Sequence, residues 1–352
     1  MSQRIVIMAG GTGGHVFPAL AVAQELQMRG WQVSWLGTHN GLESRVVPAN
    51  GIEIDWLAVA GIRGKGLLSK FFASFKLLQA CLQARKILKQ RKPDVVLGMG
   101  GFVAGPGGLM AKWLGIPVVI HEQNRVPGTT NRLLVKLAAS KVLEAFPNSF
   151  VKSTNAVATG NPLRKAFENF PEKATWTNER KLRILVVGGS QGAKVLNDNV
   201  PSALAQLENV NIKHQTGSAM QPEVSARYQA LGQAAEVTAF IEDMAAAYQW
   251  ADLIICRAGA MTVSEVAAAG LPAIFVPLQN AIDDHQTANA RYLADTGAAL
   301  LLPQSQLNAD SLHEAVQQTI KSLSIMSQTA RTLSKPDATQ MVAEICIAEA
   351  MR

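Results

Sequence analysis

Two stretches of this chain carry the same device. RIVIMAGGTGG (4–14) and RILVVGGSQGA (183–193) each open on Arg-Ile, run through a few apolar residues and stop in a glycine turn, Gly10 matching Gly189 and Gly13 matching Gly192. A short apolar run ending in glycine reads as a strand of a parallel sheet covered on both faces, because neither side is left for water. Further runs of this kind stand at 33–36, 52–57, 94–97, 117–120 and 141–143, then at 212–214, 236–238, 253–256, 273–276 and 299–301, with helical stretches between them. That βαβ alternation predicts two open, doubly wound parallel sheets, hence two Rossmann-like α/β domains facing across a cleft. A length of 352 residues suits two domains. The junction is expected at TGNPLRK (159–165), where Asn-Pro breaks regular structure. The first domain then spans 1–160 and the second 161–337, and the helical end 338–352 is expected to pack back on the first.

The glycine turns exclude two familiar nucleotide sites. Neither turn reads G-x-G-x-x-G, and the strand at 33–36 ends in Gly37-Thr38 with no acid to hold a ribose. Neither is followed by the G-K-[ST] of a P-loop. The shared physics remains: glycines admit close approach of backbone N–H groups, and a helix start favours negative charge. Glycine-rich stretches at 10–14, 98–108 and 188–192 are read as three turns at strand ends, which points to a phosphate-rich ligand.

Directly behind the first turn stands His15. A helix start disfavours imidazolium, so the ring there is expected neutral and suited to act as a general base. In CRAGAMTVSEVAAAGLPAIFVP (256–277) a strand ends, a glycine turn follows, and a helix opens near Ala260 with Thr262, Ser264 and Glu265 in its early turns. Its amides suit a diphosphate and Glu265 suits a ribose diol, although such residues also serve ordinary capping. DDHQTANA (283–290) brings polar groups to the start of a later helix.

Charge is unevenly spread. Residues 1–160 hold 18 Lys and Arg against 7 Asp and Glu, a balance of +11; residues 161–352 hold 15 against 19, a balance of −4. Between Asp55 and Asp94 there is no acid but nine bases: Arg63, Lys65, Lys70, Lys76, Arg85, Lys86, Lys89, Arg91 and Lys92. Leu67, Phe71, Phe75, Leu78 and Leu82 run through them at helical spacing, as one face of a helix that is partly core-facing, and Leu68 and Phe72 widen the apolar surface. Apolar side chains ringed by bases suit an anionic membrane surface, with Trp113 as an interfacial aromatic. Nucleic acid is the competing anion, and no nucleic-acid-binding motif is present. No apolar run of about eighteen residues appears. Cys81, Cys256 and Cys346 are widely spaced, as reduced cytosolic thiols would be.

Taken in order, GGTGGHVFPA, KPDVVLGMGGFVAGPGG, IPVVIHEQN, GNPLR, VVGGSQGA, CRAGAMTVSE and DDHQTANA resemble the MurG family, the N-acetylglucosaminyltransferases that convert lipid I to lipid II in peptidoglycan synthesis. The resemblance covers essentially the whole chain. It implies a GT-B glycosyltransferase fold and an inverting transfer from UDP-N-acetylglucosamine, with no cofactor or metal; the chain has no D-x-D motif. It implies that Thr12, Gly13 and Gly14 line the substrate cleft, with His15 as the base. Asn124 in HEQN matches a sugar-nucleotide contact, Arg164 and Ser190 match diphosphate contacts, and Ile241 in FIEDM matches the position that reads uracil. Ala260, Met261, Thr262, Val263, Ser264 and Glu265 match the stretch holding diphosphate and ribose, and Gln286 matches a contact to the N-acetylglucosamine. Some relatives carry two glutamines where this chain has His285-Gln286, so the role of His285 stays open. The implied place is the cytoplasmic face of the bacterial inner membrane, peripherally, in wall growth and cell division. The implied partners are UDP-N-acetylglucosamine, lipid I, the anionic surface reached through residues 63–92, and unspecified wall-synthesis proteins. Two other readings share the architecture: a UDP-N-acetylglucosamine 2-epimerase, which would leave the basic apolar patch without a purpose, and a non-catalytic UDP-sugar sensor, which would not call for His15 with Arg164.

Overall fold

The structure is a computed structural model; it describes residues 3–58, 67–172, 176–189, 192–279 and 284–352, with side chains at 67–75 left aside. The chain divides into two compact units, Met1–Lys165 with Asp337–Arg352, and Ala166–Pro336.

In the first unit the strands are β1 (Arg4–Ala9), β2 (Gln32–Gly37), β3 (Glu53–Trp56), β4 (Val95–Gly100), β5 (Val118–Glu122), β6 (Lys141–Glu144) and β7 (Val157–Ala158). They form one sheet in the order β3-β2-β1-β4-β5-β6-β7, parallel throughout. Helices α1 (Gly13–Met28), α2 (Glu43–Ala49), α3 (Leu67–Arg91), α4 (Ala104–Trp113) and α5 (Thr129–Leu137) connect them. The short α6 (Lys165–Glu168) stands at the division.

The second unit repeats the plan with β8 (Leu182–Val187), β9 (Val210–Gln215), β10 (Ala235–Thr238), β11 (Leu253–Cys256), β12 (Ala273–Phe275) and β13 (Ala299–Leu301), ordered β10-β9-β8-β11-β12-β13. Its helices are α7 (Lys194–Leu204), α8 (Gln221–Ala230), α9 (Met244–Trp250), α10 (Ala260–Ala269), α11 (His285–Ala294), α12 (Ala309–Ile320) and α13 (Leu323–Thr332). The last helix, α14 (Ala338–Ala350), belongs to the first unit, where Val342, Ala343 and Cys346 join the core formed by β1 and α1.

The strands are as apolar as burial on two faces requires: Ile5 to Ala9 and Val95 to Leu97 are at most 1% exposed. In both sheets the order reverses beside the first strand, between β1 and β4 and between β8 and β11. Connections leave in opposite directions there, so the two loops at the carboxyl ends part and open a crevice.

Two expectations need correction. The stretch 98–108 is not one glycine turn. Gly98 and Gly100 belong to β4, while Gly105, Gly107 and Gly108 lie inside α4. A Cβ on Gly107 would collide with the Met8 sulfur and come within 3.0 Å of Leu36, and one on Gly108 within 2.8 Å of Leu134. Those two glycines let α4 sit close on the sheet and on α5; only Gly100-Gly101 form the turn, both at positive φ. The second correction concerns α3. Its core stripe is Ala80, Ala84 and Leu88, all at most 1% exposed, whereas Leu78 and Leu82 are 58% and 59% exposed. The apolar series continuing from Leu67 through Leu82 is therefore not the core face at its described end.

Candidate active site

In the first unit, β1 runs out at Ala9, whose carbonyl accepts the Trp35 indole N–H at 2.8 Å. Gly10, Gly11 and Thr12 turn the chain, and α1 begins with Gly13, Gly14 and His15 in its first turn. Thr12 is the N-cap residue without a side-chain cap bond. His15 Nδ1 stands 3.3 Å from the Gly10 carbonyl oxygen. A carbonyl only accepts, so this bond puts the proton on Nδ1 and makes Nε2 the acceptor nitrogen of the ring. The ring is half-buried and lies over the turn after β4: a Cβ on Gly100 would come within 3.0 Å of Nε2. His15 thus occupies the switch-point crevice of this unit.

Beneath the turn lies a group that sequence reasoning passed over. Glu43, the first residue of α2, is fully buried and accepts from Gly11 N–H at 2.9 Å, Thr38 N–H at 3.0 Å and the Thr38 hydroxyl at 2.7 Å.

Asn124 follows β5. Its backbone N–H and side-chain amide donate to Glu122 Oε1 at 2.9 and 3.2 Å. Glu122 is 1% exposed and also accepts from Gly128 N–H and Asn131 Nδ2. His121, one residue back, accepts from Gln123 on Nδ1 and donates from Nε2 to the Gly160 carbonyl; burial holds its pKa down at about 4. Arg164 is exposed, at the end of the first unit.

In the second unit a cavity of about 660 Å³ opens at the β8/β11 switch point. Gly188, Gly189, Gly192 and Lys194 from the start of α7 line it, together with Arg257, Gly259 and Thr262 at the start of α10, and Gln286 from α11. Gly189 and Gly192 have φ of +86° and +74°. The N-cap residues of α7 and α10 are Ala193 and Gly259, and neither closes its helix with a side chain. Thr262, Ser264 and Glu265 stand inside α10, past its N-cap position. Two helix starts with their N–H groups and positive dipole ends meet on one cavity, an arrangement made for anions.

Arg257, which the sequence reading quoted without singling out, adds a full charge. Its Nη1 donates to the Val276 and Pro277 carbonyls at 3.0 and 3.2 Å. Desolvation lowers its pKa, and among the described residues no carboxylate pairs with it. Gln286 Oε1 accepts from Leu278 N–H at 2.9 Å, so its Nε2 is left to donate outward. Glu265 is 9% exposed and turned toward β11: the Cys256 thiol is pushed up by burial and then by the Glu265 charge. Ala260, Met261, Thr262, Val263, Ser264 and Glu265 all lie in the first two turns of α10, but only Thr262 lines the cavity. Ile241, half-buried, follows β10 in the loop to α9, whose N-cap is Asp243 accepting from Ala246 N–H at 2.9 Å. Ser190 lies outside the described residues.

On the basic helix α3, Leu77, Leu78 and Leu82 are exposed, as is Trp113 of α4 at 63%, with the Arg85 guanidinium 4.4 Å above its ring. Lys76, Lys86 and Lys89 are exposed around them. Arg91 is not part of this surface, being bonded to Asp55 at 2.7 Å and to Glu53. Arg63 and Lys65, and the side chains of Leu67, Leu68, Lys70, Phe71, Phe72 and Phe75, lie outside the described residues.

Two Rossmann-like units, one presenting a histidine and the other an anion-suited cavity at its switch point, suit an enzyme that acts on a nucleotide-activated sugar. Family models agree: the glycosyltransferase family 28 N-terminal domain matches residues 5–143 and the C-terminal domain matches 183–342. A protein of Methylococcus capsulatus named UDP-N-acetylglucosamine--N-acetylmuramyl-(pentapeptide) pyrophosphoryl-undecaprenol N-acetylglucosamine transferase is 60% identical over 355 residues, covering 99% of each chain. The crystal structure of Acinetobacter baumannii MurG superposes with a TM-score of 0.85 at 46% identity, over 98% of this chain and 99% of that one. This chain belongs to the MurG family, with its GT-B fold. A UDP-N-acetylglucosamine 2-epimerase from Neisseria meningitidis has a TM-score of 0.67 at 14% identity over 98% of this chain and 100% of its own, which is a likeness of fold alone.

Proposed function

We propose that this protein transfers N-acetylglucosamine from UDP-N-acetylglucosamine to the 4-hydroxyl of the muramyl residue of lipid I, giving lipid II for peptidoglycan synthesis. Identity of 60% to a relative with that name, over nearly the whole of both chains, supports the activity. The structural observation that carries the reading is the convergence of the starts of α7 and α10 with Arg257 on one cavity.

The donor's diphosphate lies against those helix starts, with Ser190 and Arg164 as further contacts. Uracil lies at Ile241, the ribose diol on Glu265, and the sugar at the outward Nε2 of Gln286, with Asn124 as a second sugar-nucleotide contact. The acceptor enters the first unit past Thr12, Gly13 and Gly14. His15 Nε2 takes the proton of the muramyl 4-hydroxyl as its oxygen attacks the anomeric carbon with inversion. A new C–O bond forms, the bond from the anomeric carbon to the phosphate oxygen breaks, and UDP leaves with the electron pair. Fixed N–H groups, helix dipoles and Arg257 stabilise the growing charge on UDP, and no metal is required for that.

The acceptor is a lipid, and the surface of Leu78, Leu82 and Trp113 among Lys76, Lys86 and Lys89 fits peripheral attachment to the anionic cytoplasmic face of the inner membrane. No helix among the described residues is long and apolar enough to cross a membrane.

Incubating radiolabelled UDP-N-acetylglucosamine with a lipid I analogue tests the reading. Label should pass to the lipid, and His15→Ala should slow transfer about 10²–10⁴-fold while donor affinity holds. Epimer formation, or tight binding without turnover, would replace the reading by an epimerase or a sensor.

A further inference from the structure

Gln304 Oε1 is buried, and among the described residues no donor reaches it. A buried acceptor left without a donor is costly, so its place in the molecule calls for a reason. Gln304 lines the cavity of about 660 Å³ at the β8/β11 switch point and a smaller one of about 350 Å³, and Leu278 lines both with it. The backbone there is held. Pro303 has its φ at −59°, and Gln306 N–H donates to the Pro303 carbonyl at 2.9 Å, closing one tight turn over Gln304–Gln306 after β13. In the sheet order β10-β9-β8-β11-β12-β13, Ile241 follows β10 at one edge. Gln286, on α11, comes between β12 and β13, and Gln304 follows β13 at the other edge. A UDP-sugar with its uracil at Ile241 and its diphosphate at the switch point therefore points its sugar toward Gln286 and Gln304.

Three neutral functions meet on that side of the cavity. Gln304 Oε1 accepts. Gln286 Nε2 donates, because its Oε1 is taken by Leu278 N–H at 2.9 Å. The Leu278 side chain, 43% exposed, offers apolar surface. An amide oxygen repels a diphosphate, so the phosphates are not what Gln304 awaits. An acetamido group carries the matching set: an N–H, a carbonyl and a methyl. We propose that Gln304 is a specificity-determining residue that reads the 2-acetamido group of the donor's sugar. The acetamido N–H donates to Gln304 Oε1, Gln286 Nε2 donates to the acetamido carbonyl, and Leu278 packs on the methyl. This rests on the reading of the cavity as the UDP-N-acetylglucosamine site. A sugar with only hydrogen at that carbon would leave all three functions unused, and a site that hydrogen-bonds a substrate N–H rejects an analogue without it.

Calorimetric titration of the full-length protein tests this without the acceptor lipid. The unsubstituted protein should bind UDP-N-acetylglucosamine more tightly than UDP-2-deoxyglucose. Gln304→Met, close in shape, should weaken UDP-N-acetylglucosamine about 3–10-fold, the worth of one neutral hydrogen bond. It should leave UDP-2-deoxyglucose and UDP unchanged. Its Tm should hold or rise, because the substitution removes a buried acceptor that nothing in the described chain pairs. If Gln304→Met does not fold, Gln304→Leu removes the same oxygen and should give the same pattern. A lowered Tm with all three ligands weakened alike would overturn the proposal in favour of a structural role. Equal weakening of UDP-N-acetylglucosamine and UDP-2-deoxyglucose would overturn the assignment to the acetamido group. If the unsubstituted protein transfers sugar to the lipid I analogue and the variant binds UDP-N-acetylglucosamine no worse, this inference alone is refuted. If the unsubstituted protein does not bind UDP-N-acetylglucosamine, the donor reading is refuted with it.

Discussion

Gly189 and Gly192 sit in the same turn with nearly the same backbone, yet alanine should affect them differently. Their φ values are +86° and +74°, a region that costs an L-residue about 1–2 kcal/mol. At Gly189 nothing is added to that cost by the described residues, since among them an added Cβ meets nothing within 4 Å. At Gly192 the Cβ would overlap the Thr216 carbonyl oxygen and come within 2.8 Å of its carbon, both backbone atoms that cannot rotate away. Such overpacking adds about 1–3 kcal/mol. Gly189→Ala should therefore cost about 1–2 kcal/mol and Gly192→Ala about 2–5 kcal/mol. For a unit of this size each kcal/mol lowers Tm by about 2–4 °C. Differential scanning calorimetry of the full chain should show the two melting points separated, Gly192→Ala the lower. The relief of the Gly192 collision moves the start of α7, so UDP should also bind more weakly. Equal melting points for the two variants would refute the steric argument.

Three further outcomes follow from other parts of the chain. Arg257→Met removes a charge-assisted contact to the diphosphate worth about 1.5–3 kcal/mol, so the KM for UDP-N-acetylglucosamine should rise about 10–100-fold in steady-state assays; an unchanged KM would assign Arg257 to holding Val276 and Pro277 alone. Burial holds His121 at about 4 and His214 at about 3, so both rings stay neutral when folded, and below about pH 6.5 the unfolded chain binds more protons. Stability should thus be level above pH 7 and fall as pH drops from about 6.5 toward those values, by about 1.4 kcal/mol per pH unit for each ring; denaturant melts from pH 4.5 to 8 with no acid slope would contradict this. Charge reversal at Lys76, Lys86 and Lys89 should abolish sedimentation with anionic liposomes, each base contributing about 1 kcal/mol, and binding that survives would place the membrane surface elsewhere.

The sheets were legible because strands buried on two faces are written as apolar runs that glycine stops: 253–256 coincides with β11 and 299–301 with β13. The two-residue β7 is too short to leave such a run. The 98–108 stretch misled because glycine serves two ends, turning the chain at Gly100-Gly101 and letting α4 approach at Gly107 and Gly108, and composition does not distinguish them. On α3 the exposed Leu78 and Leu82 and the buried Ala80, Ala84 and Leu88 interleave at helical spacing, and the larger side chains marked the exposed apolar face while the small core-facing residues went unread. His15, Thr262 and Gln286 were visible through the motifs around them. Glu43 and Arg257 were not, because a lone acid after Gly41-Leu42 and a lone arginine after Cys256 look like surface residues until the fold buries the first and half-buries the second at a cavity. The signal that could have found Glu43 is Gly37 and Gly41 flanking it without a turn that needs both.

The claim on which the mechanism depends is that the helix starts at the β8/β11 switch point hold the donor's diphosphate. A crystal structure of the protein soaked with UDP-N-acetylglucosamine measures this directly. The diphosphate should lie on the amides at 192–195 and 260–262 beside Arg257, with the ribose at Glu265. A nucleotide seated elsewhere in the chain, with these amides facing only water, would contradict it.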